Sequence, residues 1–327
     1  FIDFDSNDNM YIYASLKLFK MDALNDKGTI IADENIYPEY KYGNYFNNVK
    51  NCSFSNDKKI IWGAAEPGLM KYSIDSNKLN FIKGEKNYGL ILWLTVDKND
   101  NVWFASRTPY LSKWDGEKFT DWDVDFQNDL ITIPFNNVRL TALDTNIFLA
   151  GMDGILSVSI NSTPDNLIYT KYTLKDLSFK DTSTNQVWLL CKDESERIWA
   201  TDILGNISFF ENNIWHKLIL PDSLQSPDYN SNGKIVKNYI RSIAADTINK
   251  LFYFFWAYPY FFFTMDNAGN FSKYTFPGPN QITPFKDILS NNFHNNNLWV
   301  GNLSKLIKYT DRKRTRLNAS HVSESRM

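Results

Sequence analysis

Cysteine and histidine are scarce in this chain, at two and three among 327 residues. Two thiols cannot build a disulfide framework or a four-thiolate zinc site, and three imidazoles leave little for a multi-histidine metal centre. Charge of one sign is also lacking: Lys+Arg 35 stand against Asp+Glu 37, for a formal net charge of -2. No global basic field is therefore offered to nucleic acid or to an anionic membrane. The charged fraction of 22% is too low, and the hydrophobic fraction of 43% too high, for a disordered chain. Long apolar runs are missing as well. The most apolar stretch, Leu251 to Met265, is broken by Pro259 and falls short of the roughly 20 residues a membrane helix needs. It reads as two buried strands joined by a turn at Tyr258-Pro-Tyr260. What the chain does have is rings: 16% aromatic, with Trp 10, Tyr 18 and Phe 24. Such a composition with few helix-favouring runs builds β-sheet.

A repeat organises those rings. The clearest unit is Leu94-Thr-Val-Asp-Lys-Asn-Asp-Asn-Val-Trp-Phe-Ala-Ser106, followed by Leu111-Ser-Lys-Trp-Asp115 and Lys118-Phe-Thr-Asp-Trp122. It reads as strand, Asp/Asn turn, Trp-centred strand, short loop and two further strands. The order recurs at Ser55-Asn-Asp-Lys-Lys-Ile-Ile-Trp62, at Lys192-Asp-Glu-Ser-Glu-Arg-Ile-Trp199 and at Asn295-Asn-Asn-Leu-Trp299. Weaker copies centre on Ile12, Phe148 and Tyr253. Successive anchors are 50, 41, 45, 51, 54 and 46 residues apart. A period of about 40–50 with four short strands per unit marks propeller blades. The expected fold is all-β, a seven-bladed β-propeller of four-stranded blades whose last blade lacks its outermost strand. It occupies 1–313 as a single domain, with blades near 1–48, 49–91, 92–136, 137–186, 187–238, 239–285 and 286–313. The segment 314–327 breaks the upstream pattern and reads as a non-native tail, the native chain being expected to continue past Thr310. The opening at Phe1, already strand-like, reads as that of a fragment or a mature product.

The unit Asp97-Lys-Asn-Asp-Asn-Val-Trp-Phe-Ala-Ser with Leu111-Ser-Lys-Trp-Asp resembles the repeat of two-component regulator propellers. Ile61-Trp-Gly-Ala, Ile198-Trp-Ala-Thr and Leu298-Trp-Val-Gly share it in part. The family's turn glycine is absent from these units, and the sixth unit departs furthest. The resemblance implies a periplasmic or extracellular sensing propeller, often the input end of a hybrid histidine kinase, and commonly one that monitors oligosaccharides. A kinase or transmitter module would then be a partner in the full-length protein.

Candidate chemistry is sparse. Cys52 and Cys191 precede the Trp anchors of blades two and five in strands expected to be innermost, too far apart to bond, and read as two buried thiols. A Cys/His pair with His216 or His294 has no supporting spacing. The run Asp3-Phe-Asp-Ser-Asn-Asp-Asn9 begins like a calcium loop but lacks the sixth-position Gly and the terminal Glu, so it reads as a hairpin turn. Neither a metal nor a cofactor is expected. Loops joining second to third strands share a face with the blade-to-blade connections. That face collects Glu66, Arg107, Tyr110, Trp122, Asp153, Asp202, Tyr258, Tyr260 and Asn302 as candidate ligand-binding residues. The long connections 35–48, 123–137 and 222–237 add Tyr37, Tyr40, Tyr45, Phe126 and Tyr229. Proline holds several of these loops stiff. Rings, carboxylates and a guanidinium are the groups that stack on and hydrogen-bond sugars, and also those enriched at protein interfaces.

Two classes of function follow. The favoured one is a non-catalytic sensing or ligand-binding propeller taking an oligosaccharide or similar ligand, with no nucleic-acid partner and no insertion into a membrane. The alternative is a propeller enzyme acting on glycans or lactones, or a protein-interaction scaffold. The fold alone cannot choose between them.

Overall fold

The computed structural model describes residues 1–14, 17–22, 27–43, 51–66, 68–84, 88, 90–106, 110–124, 138–180, 185–193, 196–225, 229–231, 234–236, 239–246, 250–256, 261–275, 290–294, 297–301, 305–310 and 323–326. Antiparallel four-stranded sheets built from consecutive strands account for nearly all of it.

Blade 1 comprises Ile2–Phe4, Met10–Ala14, Lys17–Asp22 and Lys27–Ala32. Blade 2 comprises Cys52–Phe54, Ile60–Ala64, Gly68–Ser73 and Lys78–Lys83. Blade 3 comprises Ile91–Val96, Val102–Ser106, Tyr110–Trp114 and Phe119–Asp123. Blade 4 comprises Arg139–Leu143, Asn146–Ala150, Gly154–Ser159 and Tyr169–Thr173. Blade 5 comprises Val187–Lys192, Ile198–Asp202, Ile207–Glu211 and Ile214–Leu218. Blade 6 comprises Ile240–Asp246, Leu251–Trp256, Phe261–Asp266 and Phe271–Thr275. A further sheet follows with Ser290–His294, Asn297–Gly301, Lys305–Thr310 and Ser323–Arg326. Two short 3-10 turns, Pro38–Gly43 and Asp222–Leu224, and a hairpin of Tyr229–Ser231 with Lys234–Val236 lie between sheets.

The expected seven blades with a three-stranded last one thus take a different form. Six blades run through Thr275, and the sheet after them is four-stranded because Ser323–Arg326, in the segment set aside as a tail, pairs with Lys305–Thr310. An edge strand presents unpaired N–H and C=O groups, which an adjacent extended segment satisfies whatever its side chains.

The chain divides into two compact units, Phe1 with Asp3–Lys192 and Ile2 with Asp193–Met327. In the first, second strands are buried on both faces, as Val102–Ser106 is throughout, which explains their near-continuous apolar sequence. Alternate residues then serve alternate neighbours. Val102 and Phe104 pack with Trp62, Ala64, Leu69 and Ile91, whereas Trp103 and Ala105 pack with Leu140, Ile147 and Leu149 of blade 4. Outer strands are half exposed, and Tyr169–Thr173 contains no buried residue. In the second unit Trp199 plays the part of Trp103, lying 5.4 Å from both Phe252 and Phe254 of blade 6.

Register defines the repeat sharply. Trp62, Trp103 and Trp299 each pair with a lysine on the third strand, Lys71, Lys113 and Lys308. Tyr11 pairs with Lys20 in the same way. The anchor of blade 1 is therefore Tyr11 rather than Ile12, one residue earlier than the apolar pattern indicated.

Candidate functional site

The turns between first and second strands are held by a recurring carboxylate. Asp97 is buried, and its Oδ1 accepts the backbone N–H groups of Asn99 and Asn101 at 2.8 and 3.0 Å. Its Oδ2 accepts the Asn101 amide at 2.9 Å and the Trp103 indole N–H at 2.8 Å. Asp193 repeats the scheme with Arg197 and with Trp199 Nε1 at 2.7 Å. Asp5 repeats it with Asn7, Asn9 and the Tyr11 hydroxyl at 3.2 Å. The apparent calcium loop is thus a hairpin whose carboxylate is taken up by its own turn. The residue three places after each Asp (Asp8, Asp100 and Glu196) sits near φ +60°, the conformation for which the resembling family uses glycine. The sequence carried the signal Asp-x-x-x-Asn/Arg-x-Trp/Tyr, but reading the Asp/Asn clusters only as turns missed its link to the ring six residues on.

Of the nine candidate site residues, Arg107, Tyr258, Tyr260 and Asn302 lie outside the described residues, as do Tyr45 and Phe126. Tyr110 begins the third strand of blade 3. Glu66 lies half-buried at the bend after the second strand of blade 2. Asp153 occupies the matching loop of blade 4, where its Oδ2 receives Lys171 Nζ at 2.8 Å. Two candidates are interior. Trp122 is buried, stacked on Trp103 at 5.1 Å and 8°, and donates its indole N–H to Thr163 O at 2.7 Å. Asp202 is fully buried, with Oδ1 accepting from Leu204 N and Asn206 N and Oδ2 from the Asn206 amide. Tyr37 and Tyr40 are laid on blade 2, Tyr40 against Phe81 at 4.6 Å and the Tyr37 hydroxyl donating to Asn77 O at 2.9 Å. The structure therefore leaves Glu66 and Asp153 as the described carboxylates on the expected loops of the first unit.

The remaining reactive groups are occupied or insulated. Neither cysteine forms a disulfide; Cys52 is buried as expected, whereas Cys191 is only half-buried. Burial pushes the Cys52 thiol up to about 12, against a smaller opposing pull from the N-terminal ammonium. His216 stands exposed on the outer strand of blade 5, stacked on Phe209 at 5.2 Å. Among the described residues no three His, Cys, Asp or Glu side chains are placed to hold a metal ion, and no helix is long and apolar enough to cross a membrane.

No protein-family model and no curated protein matches the sequence. Solved structures do. The extracellular domain of a hybrid two-component system from B. thetaiotaomicron aligns with a TM-score of 0.64 and 13% identity, over 100% of this chain and 46% of that one. Virginiamycin B lyase from Staphylococcus aureus aligns at 0.61 and 11% identity, over 92% and 90%. The WD40 repeats of RRP9 align at 0.66 and 12% identity, over 92% and 86%. The fold is a β-propeller. At these identities the likeness speaks for the architecture alone, and this chain spans less than half the length of the sensor domain it matches. Sensor, lyase and WD40 propellers share the blades and differ in their use.

Proposed function

We propose that this propeller is a non-catalytic ligand-binding domain, the extracytoplasmic input part of a two-component regulator, and that it recognises an oligosaccharide or similar ligand. The observation that carries it is the fate of the interior carboxylates. Of the buried acids, Asp5, Asp33, Asp97, Asp193 and Asp202 accept from their own turns, and Asp97 and Asp193 accept from indole N–H groups as well. The repeat resemblance and the likeness to a sensor ectodomain support the same reading. The ligand would dock on the loops between second and third strands, with Glu66, Arg107, Tyr110, Asp153, Tyr258, Tyr260 and Asn302 as contacts. Trp122 and Asp202, being interior, would support that surface from beneath. Rings on stiff loops lose little entropy on binding, so modest contacts give useful affinity.

A second reading has one specific observation behind it: virginiamycin B lyase matches this chain over 90% of its own length, so the same blades could carry an enzyme. One titration separates the two. A panel of plant and host glycans is added while tryptophan fluorescence is followed, for the wild type and for Arg107→Ala and Tyr110→Ala. The sensing reading expects saturable binding that both substitutions weaken, with the glycan recovered intact. Binding that survives both substitutions would move the site, and steady product formation would replace the sensor by an enzyme.

A further inference from the structure

Within the first unit the innermost strands build a wall of their own. The first strand of each blade pairs only with the second, and those of blades 2 to 5 lie side by side. Side chains alternate along each strand. Cys52, Phe54, Leu94 and Leu140 are buried between blades, whereas Asn51, Ser53, Trp93, Thr95 and Arg139 are half-buried and line the inner side. Register sets Trp93 and Arg139 at one level. Trp93 lies two residues before Thr95, which is opposite Trp103, and Arg139 two before Thr141, which is opposite Phe148. Their own partners, Ala105 and Ala150, stand at the ends of the second strands that lead into the loop face. The same level holds Asn51 in blade 2, two before Ser53 opposite Trp62, and Leu189 in blade 5, four before its turn carboxylate as Trp93 is. One guanidinium therefore stands in a row of neutral residues.

Arg139 is held in place across the blade boundary. Its Cζ lies 4.1 Å over the Trp93 ring, and its Nη1 donates to Val138 O at 2.9 Å. The charged residues of these four innermost strands are Arg139 and Lys192, and Lys192 is exposed at the turn end. Drawing a cation partly out of water costs free energy that a neutral residue at this level avoids. Where the wall needs only stitching, a neutral group does it: Asn51 Nδ2 donates to Leu94 O at 3.1 Å and its Oδ1 accepts from Leu94 N at 2.8 Å. Asp153, on the loop that follows Ala150, is already engaged by Lys171. A guanidinium laid flat on an indole keeps its N–H groups in one plane and gives up little freedom when an anion meets its edge. Among the substituents of sugars, a carboxylate matches that edge, its two oxygens facing parallel N–H groups.

We propose that the ligand of the loop face is an acidic oligosaccharide whose carboxylate is received by Arg139 on the inner wall, with Trp93 holding the guanidinium in position. The inference rests on the sensing reading above and adds the charge of the ligand to it. Calorimetry with two matched pairs tests it: trigalacturonate against its methyl ester, and sialyllactose against lactose. The acid of at least one pair should bind the wild type about tenfold to a hundredfold more tightly than its neutral partner, the worth of a hydrogen bond to a charged group. The pair that shows the preference identifies the sugar as a uronate or a sialic acid. Arg139→Gln should erase the preference and leave binding of the neutral partner unchanged, which also shows that the variant is folded. Arg139→Lys keeps the charge and loses the planar fork, so the preference should survive at reduced size. Equal binding of acid and neutral partners by the wild type, or a preference untouched by Arg139→Gln, would overturn this inference and leave the sensing reading standing. Binding of no glycan at all would overturn both.

Discussion

Replacing Asp97 by Ala removes four acceptor contacts at once, and their surroundings set the cost. The Trp103 indole N–H is fully buried and would be orphaned, at about 1–3 kcal/mol. The turn N–H groups of Asn99 and Asn101 would lose a charged acceptor, for about 1.5–3 kcal/mol together, part of it returned by water at the exposed turn. A total of about 3–5 kcal/mol is expected. Trp103→Phe keeps a ring in the core and deletes only the donor and part of the stack on Trp122, so the pair forms a clean cycle. The coupling between Asp97→Ala and Trp103→Phe should reach about 1.5–3 kcal/mol, as for a hydrogen bond to a charged group. Urea unfolding followed by circular dichroism measures all four corners. Blade 2 supplies the internal control, with Ser55 where blade 3 has Asp97: Ser55→Ala should cost clearly less than Asp97→Ala, because Trp62 has no acceptor among the described residues to lose. A coupling below about 0.5 kcal/mol, or equal costs at Asp97 and Ser55, would refute the carboxylate–indole pair as the device that fixes the blade turn.

Two further outcomes can be checked. Lys250 is an exposed turn residue at φ 56°; Lys250→Gly should raise stability by about 0.5–1 kcal/mol, measured by the same unfolding, because the left-handed conformation is strained for any side chain with a Cβ. The Cys52 thiol is pushed up to about 12 by burial, so in the native protein near pH 8 a thiol reagent should label it only as fast as the blade opens, and labelling on mixing would contradict its burial. The sign of the linkage follows: a raised acid contributes fully below its ordinary value near 9, and that contribution is lost as pH climbs toward 12.

The sequence was most legible where chemistry is local. Asp97-Lys-Asn-Asp-Asn turns the chain with its own side chains, and Trp103 follows at fixed spacing, so both turn and buried strand could be read from adjacent letters. A count by hydrophobicity centres blade 1 on Ile12 because it ignores the hydroxyl that Tyr11 donates to Asp5; counting six residues from the carboxylate gives Tyr11. Trp122 and Asp202 stand in sequence beside connections expected on the loop face, yet both are interior. Which side of the pleat Trp122 occupies depends on Trp103, nineteen positions away, and the stack of the two rings is settled only when strands two and four assemble around strand three.

By itself, then, the sequence determined the repeating unit: strand, Asp/Asn turn, aromatic strand and two outer strands, all written in contacts spanning a few residues. Tertiary structure decided what depends on contact between blades or between distant strands. It put Ser323–Arg326 on an open edge, where backbone hydrogen bonding needs no particular sequence. It turned Trp122 inward. It also laid Arg139 of blade 4 over Trp93 of blade 3, because the inner wall is assembled from residues that are remote in the chain and share no local pattern.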